Sequence, residues 1–471
     1  MLSAGYPPGS MGERRSTSIG SRLTVVSLFS GCGGLDLGFK GAGFEVAYAC
    51  DHDAAAVQCY ARNLDKGVHL RDVTSDEFHR DIDNIGECDV VLGGFPCQGF
   101  SKSGPKRASD PRNTLYVEMH RAVERLRPRV FVAENVDGLH QNFGGAFLTR
   151  ITQDFARIGY EVEHRILQAA SFGLPQYRRR IVFVGVRSGE SDRFTWPVPT
   201  HNVKSRNGEF EIDADVEPET LWSSTAGLTL KAPETIGGAI GDLLELTVGV
   251  ADHVVTNSWP VTYEYIFRAI GEGQKLCNVR HAPSSVYTWQ IPQVFGETDG
   301  NERLVLETIS KNRRRKRYGA IPNGNPLSTQ VIASLSGLSD VPAIAERLVR
   351  KKYLKEIEGK FDLTGAMFCS GLFKRPRWDE PSPTVLTVFD NPRYFLHPRR
   401  PRPFSVRECA RLQGFPDDFL FCRDNSVGAI KDAYRLIGNA VPPPLAMRIA
   451  ASVRELFTAG EAGARRPRVP A

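Results

Sequence analysis

The sequence predicts an α/β protein built on a doubly wound, mostly parallel sheet, with a second, smaller region inserted late in the chain. Short apolar runs alternate with helix-period segments through the first half, the pattern of a parallel sheet covered by helices on both faces. Chemistry-bearing residues such as Asp51, Cys97 and Glu134 fall just past the ends of those runs, where open α/β sheets bind ligands. The alternation stops near Arg187 and ordered sequence resumes near Arg377.

Strands are predicted over 23–28, 45–50, 89–92, 129–133, 161–167 and 181–187, and helices over 34–43, 53–63, 114–126 and 146–158. The apolar runs are short and rich in β-branched residues, which favours strands over buried helices. The 471 residues suggest about two to three domains. Hydrophobic residues at 41% and charged residues at 24% are an ordinary globular balance. The net charge of +6 permits an acidic partner without requiring one. Nine scattered cysteines with no C-x-x-C pair argue against a disulfide framework and a structural zinc site, so a reduced, cytoplasmic setting and no bound metal are expected. The first twenty residues lack an apolar stretch, so no secretory leader is expected. No run approaches the ~20 apolar residues that span a bilayer, so no membrane partner is expected. Residues 1–20 and 459–471 have the composition of disordered tails.

Cys97 sits in Gly93-Gly94-Phe95-Pro96-Cys97-Gln98-Gly99, directly after an apolar run. A lone cysteine is most often a small buried apolar residue. Here proline fixes the preceding backbone angle, and the glycines admit close approach of another molecule; a nucleophile is presented in this way. Phe29-Ser30-Gly31-Cys32-Gly33-Gly34-Leu35 is a glycine-rich turn between strand and helix, where backbone N–H groups can meet a ligand. It does not match the dinucleotide fingerprint. Asp51 and Asp72 follow the next two strands. Each alone reads as a cap or turn residue; together with the turn they suit a nucleoside. Glu134 follows Val130-Phe131-Val132-Ala133, where burial would favour its protonated form and general-acid work. In Gln176-Tyr177-Arg178-Arg179-Arg180, Arg178 and Arg180 project to one side of an extended chain, which suits recognition of a phosphate or carbonyl.

In this order, the Gly-Phe-Pro-Cys-Gln, Glu-Asn-Val, Gln-x-Arg-x-Arg and Gly-Asn-x-Val elements resemble the DNA (cytosine-5) methyltransferase family, over residues 23–187 and 371–455. The resemblance implies a class I methyltransferase fold, S-adenosylmethionine as cofactor and duplex DNA as substrate. It implies Cys97 as the nucleophile on carbon 6 of a flipped-out cytosine, Glu134 at ring nitrogen 3, and Arg178 and Arg180 holding the base carbonyl and the catalytic loop. Phe29, Ser30, Gly31, Gly33, Gly34, Leu35, Asp51, His52, Asp72, Val73, Pro96, Leu115, Asn439 and Ala440 form the implied cofactor set. Gln98, Ser101, Lys102 and Arg112 belong to the loop expected to close over DNA. Many members carry an acid where this chain has Ser27, and a tryptophan where it has His52. The implied setting is the modification half of a bacterial restriction–modification system, a monomer whose cognate endonuclease acts independently. A tRNA methyltransferase of the same fold would be expected to have a much smaller recognition region. A non-catalytic DNA-binding regulator would be expected to lack the cysteine or the glutamate.

The resemblance divides the chain into a catalytic and cofactor-binding domain (21–187), a target-recognition region (188–370) and a segment completing the catalytic domain (371–458). Within the recognition region, 311–317 is the densest basic run, and Arg313, Arg314 and Arg315 are expected to meet DNA phosphates. Helices expected over 328–335 and 340–351 and a hairpin over 353–363 resemble a winged helix-turn-helix spanning about 303–363, with 340–351 in the reading position.

Overall fold

The computed structural model describes residues 22–96, 115–141, 146–189, 193–203, 229–246, 249–256, 259–321, 324–364 and 371–464. Seven strands make one sheet: β1 (Thr24–Leu28), β2 (Glu45–Asp51), β3 (Val68–Leu70), β4 (Val90–Gly93), β5 (Val130–Val136), β6 (Tyr160–Gln168) and β7 (Arg179–Arg187). Their order is β3-β2-β1-β4-β5-β7-β6. The first five run parallel, and β7 runs antiparallel between β5 and β6. The strand order reverses at β1, leaving a crevice beyond the carboxyl ends of β1 and β4.

Helices α1 (Gly34–Gly41), α2 (Ala54–Asn63), α3 (Asp76–Ile85), α4 (Tyr116–Leu126) and α5 (Ala146–Arg157) fill the connections. Asp53 caps α2 through the Ala55 N–H at 3.0 Å, and Ser75 caps α3 through Phe78. The central strands β1, β4 and β5 are buried almost throughout because helices cover both faces. One core gathers Val26, Val91, Phe131 and Phe183 with Met119, Val123 and Phe155. The other gathers Val25, Leu92, Val132 and Val184 with Phe39, Leu445 and Ile449.

The carboxyl-terminal segment folds back onto this sheet through α9 (Val406–Leu412), α10 (Val427–Asn439) and α11 (Pro443–Ala464), labelled after three helices of the inserted region. Helix α11 lies on α1 so closely that a Cβ on Gly38 would stand 2.4 Å from the Ala446 Cβ. Asn63 of α2 exchanges two hydrogen bonds with the backbone of Leu420, at 2.8 and 2.7 Å. The Arg435 guanidinium of α10 grips Asp53.

Between these halves, α6 (Gly300–Asn312), α7 (Thr329–Ser336) and α8 (Val341–Arg350) pack with the hairpin β8 (Leu354–Ile357) and β9 (Lys360–Leu363). They share a core of their own, including Val305, Ile309, Ile332, Ile344, Leu348, Leu354 and Phe361. Leu327 forms an antiparallel bridge to Phe361, a short third strand. Asp299 and Glu302 form a reciprocal cap at the start of α6.

Arg313 must be withdrawn from the residues expected to meet phosphate. Its side chain is 6% exposed, and it holds both oxygens of Asp362 at 2.7 and 2.8 Å while donating to the Val279 carbonyl. A cation buried in a bidentate pair cannot also reach a DNA backbone. Arg314, Arg315, Lys316 and Arg317 stay exposed. Arg313→Ala should therefore destabilise this unit by about 3–5 kcal/mol, because it strands a buried carboxylate. Urea unfolding followed by hydrogen exchange over residues 300–363 measures it, and unchanged protection would show that the pair does not hold the unit together.

Candidate active site

The turn after β1 is shaped by three residues with positive φ: Phe29 at 54°, Gly31 at 57° and Gly33 at 90°. Phe29 is the exception among them, since non-glycine residues rarely adopt this region. A Cβ on Gly33 would strike Leu64 and the Tyr60 ring, and one on Gly34 would stand 2.3 Å from the Val441 carbonyl. Those two glycines are needed for packing. Gly31 differs, because nothing lies within 4 Å of where its Cβ would be. Gly94, beyond β4, is similarly open, with Phe29 O nearest at 3.9 Å. The two glycines thus leave room in the crevice between β1 and β4.

Asp51 ends β2 beside this space. Its carboxylate accepts the Gly31 N–H at 2.8 Å and the Asp53 N–H at 2.9 Å. Ser30 and Leu35 are buried in the turn, and the Ser30 N–H meets the Cys50 carbonyl at 3.0 Å. His52 leaves an exposed imidazole 3.3 Å from Asp51. Asp72 is exposed and accepts the Thr74 N–H and hydroxyl at 2.9 and 2.8 Å; these bonds hold its carboxyl below the usual range. Val73 lies within the first core rather than open to the crevice. Leu115 precedes α4 and packs on the same core. Asn439 is exposed at the end of α10, and Ala440 is buried, its Cβ 3.3 Å from where a Gly34 Cβ would be. The C-terminal segment therefore reaches the glycine turn.

Strand β5 runs three residues past its expected end, because antiparallel β7 continues the ladder: Glu134 pairs with Val182 and Val136 with Arg180. Glu134 and Arg180 are diagonal neighbours on one face. The Arg180 Nε lies 2.9 Å from Glu134 Oε1, with both side chains nearly buried. Burial pushes the Glu134 carboxyl up, against the pull of Arg180 and Arg178. Asn135, buried, donates to the Phe95 carbonyl at 3.0 Å. It thereby ties β5 to the backbone just before Pro96, which is half-buried. Sequence reading passed over Asn135, although it stands inside the motif that flagged Glu134. Cys97, Gln98, Ser101, Lys102 and Arg112 lie outside the described residues.

Arg178 departs from its expected role. It is 1% exposed, and its guanidinium donates to the carbonyls of Gly438 and Ala440 at 2.9 Å and of Val385 at 3.3 Å. Gln176 joins the same network: it donates to Gln413 and accepts the Val385 N–H, while Gln413 donates to Ala440. Arg178 is a clamp for the C-terminal segment, leaving Arg180 as the arginine beside Glu134.

Beneath the glycine turn lies a buried carboxyl the sequence reading did not single out. Ser27 donates to Asp36 of α1 at 2.6 Å, and the Tyr60 hydroxyl also bears on it. Burial raises the Asp36 pKa to about 6. Ser27, which replaces an acid of the resembled family, thus contacts an acid supplied by the following helix.

The strand order with one antiparallel strand, and the crevice at its switch point, define a class I methyltransferase fold. The chain belongs to the C-5 cytosine-specific DNA methylase family, whose model matches residues 23–455. It is a DNA (cytosine-5-)-methyltransferase by that membership. Relatives include the type II methyltransferase M.NgoFVII of Neisseria gonorrhoeae, 29% identical over 94% of this chain and 89% of that protein. M.AgeI of Thalassovita gelatinovora is 30% identical over 92% of this chain and 99% of that protein. M.BanI of Aneurinibacillus aneurinilyticus is 28% identical over 93% and 96%.

Asp36 gives this site a pH signature. A carboxyl whose folded pKa is raised from 3.8 to about 6 stabilises the fold below pH 4, and that contribution is lost as pH rises through 6. Asp36→Asn removes the titration. The stability difference between variant and wild type should shift in favour of the variant by up to about 3 kcal/mol between pH 4 and 7. Denaturant unfolding across that range measures it, and a pH-independent difference would mean that Asp36 is ionised throughout.

Proposed function

We propose that the enzyme transfers a methyl group from S-adenosylmethionine to carbon 5 of cytosine in a specific duplex DNA sequence, through a covalent Cys97 adduct on a flipped-out base. The observation that carries this reading is the nearly buried pair of Glu134 on β5 and Arg180 on β7, with Asn135 of β5 tying the same strand to the backbone two residues before Cys97. It supports a reading in which a general acid and the lead-in to a nucleophile stand at adjacent strand ends.

The crevice residues fit the cofactor. Gly31 and Gly94 leave open space where side chains would stand, and Asp51 keeps a carboxylate at its edge. Asp51 would accept the ribose hydroxyls, Phe29 and His52 would flank the adenine, and Asn439 and Ala440 would close the pocket beside the turn. S-adenosylmethionine supplies an electrophilic methyl group when bound.

Carbon 5 of cytosine is too poor a nucleophile to take that methyl unaided. Addition of the Cys97 thiolate at carbon 6 converts the ring to an enamine and moves electron density onto carbon 5. Glu134 delivers a proton to nitrogen 3, neutralising the charge that the addition places on the ring. Burial favours the protonated form of Glu134, and Arg180 beside it orients the carboxyl. Removal of the carbon 5 proton and expulsion of Cys97 then restore the aromatic ring. A base inside a duplex cannot meet these groups, so it must leave the stack. Gln98, Ser101, Lys102 and Arg112 would contact the DNA around it.

The type II names of the relatives favour a modification enzyme of a restriction–modification system; in this reading it protects host DNA in a bacterial cytoplasm, as a monomer beside an independent endonuclease. No helix among the described residues is long and apolar enough to cross a membrane. Sequencing DNA from expressing cells with a readout for 5-methylcytosine tests the reaction and reveals the site; unmodified DNA would refute the reading.

Three variants probe the machinery. Cys97→Ser should abolish methyl transfer, and the wild type should form a stable adduct with DNA carrying 5-fluorocytosine; turnover by the serine variant would rule out Cys97 as nucleophile. Glu134→Gln should lower kcat by about 10²–10⁴-fold. Because the Glu134 pKa is raised, the protonated acid is lost as pH climbs, so wild-type kcat should have a descending limb that the glutamine variant lacks. An identical pH profile in both would assign the proton to another group. Asp51→Ala should weaken S-adenosylmethionine binding by about 1–3 kcal/mol in calorimetry, and an unchanged dissociation constant would move the ribose ligand elsewhere.

A further inference from the structure

We propose that residues 300–364 are a second DNA-contacting unit that meets the duplex backbone with its hairpin face and adjoining basic loop, and not with the second helix of its helix-turn-helix. This rests on the reading of the chain as an enzyme of duplex DNA. The order α6, the Leu327 strand, α7, α8, hairpin is that of a winged helix. Such units ordinarily insert the second helix of the pair into the major groove.

The charges on α7 and α8 do not suit that mode. Helix α7 carries no charged residue, and Asp340 stands exposed at the start of α8. Two cations from α8 and its end are engaged with α6 carboxylates, while still partly exposed. Arg347 lies 3.5 Å from Glu302 and 3.7 Å from Asp299, and Lys351 lies 2.7 Å from Glu302, whose side chain is 1% exposed. What α8 leaves exposed is Pro342, Glu346 and Arg350, one acid against one base.

The hairpin presents the opposite balance. Lys355 pairs with Asp362 and Ile357 with Lys360, so these four share a face. Leu354, Phe361 and Leu363 point the other way, into the core. Arg313 arrives on the outer face and neutralises Asp362. The chain that follows it, Arg314, Arg315, Lys316 and Arg317, is therefore anchored beside exposed Lys355 and Lys360. The loop is built rather than loose. Asn325 donates to the Arg313 and Gly319 carbonyls and accepts the Ile321 N–H, and the Arg317 guanidinium stacks 4.7 Å from the Tyr318 ring. The hairpin's remaining acids, Glu356 and Glu358, lie on its other face and in its turn. Six cations on one ordered surface fit a phosphate backbone, which carries no sequence information. The unit would thus add affinity and footprint without reading bases.

The test is affinity against salt for full-length protein on the cognate duplex, its single-base variants and a random duplex. Two variants remove the surface: the alanine quadruple at Arg314, Arg315, Lys316 and Arg317, and the charge reversal Lys355→Glu with Lys360→Glu. A third, Pro342→Ala with Glu346→Ala, alters the exposed face of α8. The first two should weaken cognate and random binding alike and flatten the log–log salt slope by about one unit per lost phosphate contact. The third should leave both affinity and base preference unchanged. Hydrogen exchange over 300–364 verifies that each variant is folded, and the two surface variants are independent of each other. Unchanged salt slopes in both, or altered base preference in the α8 variant, would overturn the proposal. The wild type, assayed in parallel for 5-methylcytosine in its product, shows separately whether the functional reading stands.

Discussion

The Arg178 guanidinium is the contact on which the rest of the molecule depends. It is buried at the start of β7 and donates to carbonyls at Val385, Gly438 and Ala440, more than two hundred residues away. A guanidinium away from water is costly unless its donors find acceptors. Among the described residues, the returned C-terminal segment supplies acceptors for both terminal nitrogens, so the clamp and the segment support each other. Gln413 also donates to the Ala440 carbonyl, and Gln176 donates to Gln413 while accepting the Val385 N–H. The consequence for the site is direct: Ala440 and Val441 are held against Gly34, and the glycine turn acquires its outer wall. A long region can therefore be inserted between the halves while the crevice keeps its shape.

The antiparallel strand β7 makes the second decisive contribution. It prolongs β5 beyond the parallel part of the sheet and sets Arg180 diagonally across from Glu134. A carboxyl left alone in that apolar setting would simply stay protonated, with nothing to orient it. Beside Arg180 it has a fixed position, while burial still favours the proton. Asn135, pointing to the other face of the same strand, fixes the Phe95 carbonyl. One short stretch of β5 thus holds both the buried acid and the backbone that leads to Pro96.

The inserted unit follows a different logic, in which ion pairs inside the fold decide what remains for a partner. Glu302 draws in Arg347 and Lys351, and Asp362 draws in Arg313. A basic run counted along the chain overstates the charge that reaches the surface. Removing the buried member shifts attention from Arg313 to its neighbours and to the hairpin lysines.

The sequence by itself determined the alternation of strands and helices, the glycine turn, and the standing of Glu134 and Asp51 at the ends of apolar runs, because these are written in local periodicity and in residue types next to one another. The amphipathic helices α7 and α8 and the hairpin beyond them were legible for the same reason. Helix α3 was not anticipated, since its residues Asp76-Glu77-Phe78-His79-Arg80 are mostly polar and only Phe78 and Ile82 are buried. Tertiary structure alone decided that Arg178 clamps while Arg180 faces the acid, that Asp36 lies under the turn against Ser27, and that Arg313 is interior. Each of those outcomes depends on a partner far along the chain or on a neighbouring element's register. Side-chain type and spacing fix what a residue can do; burial and the nearest opposite charge fix which of those things it does.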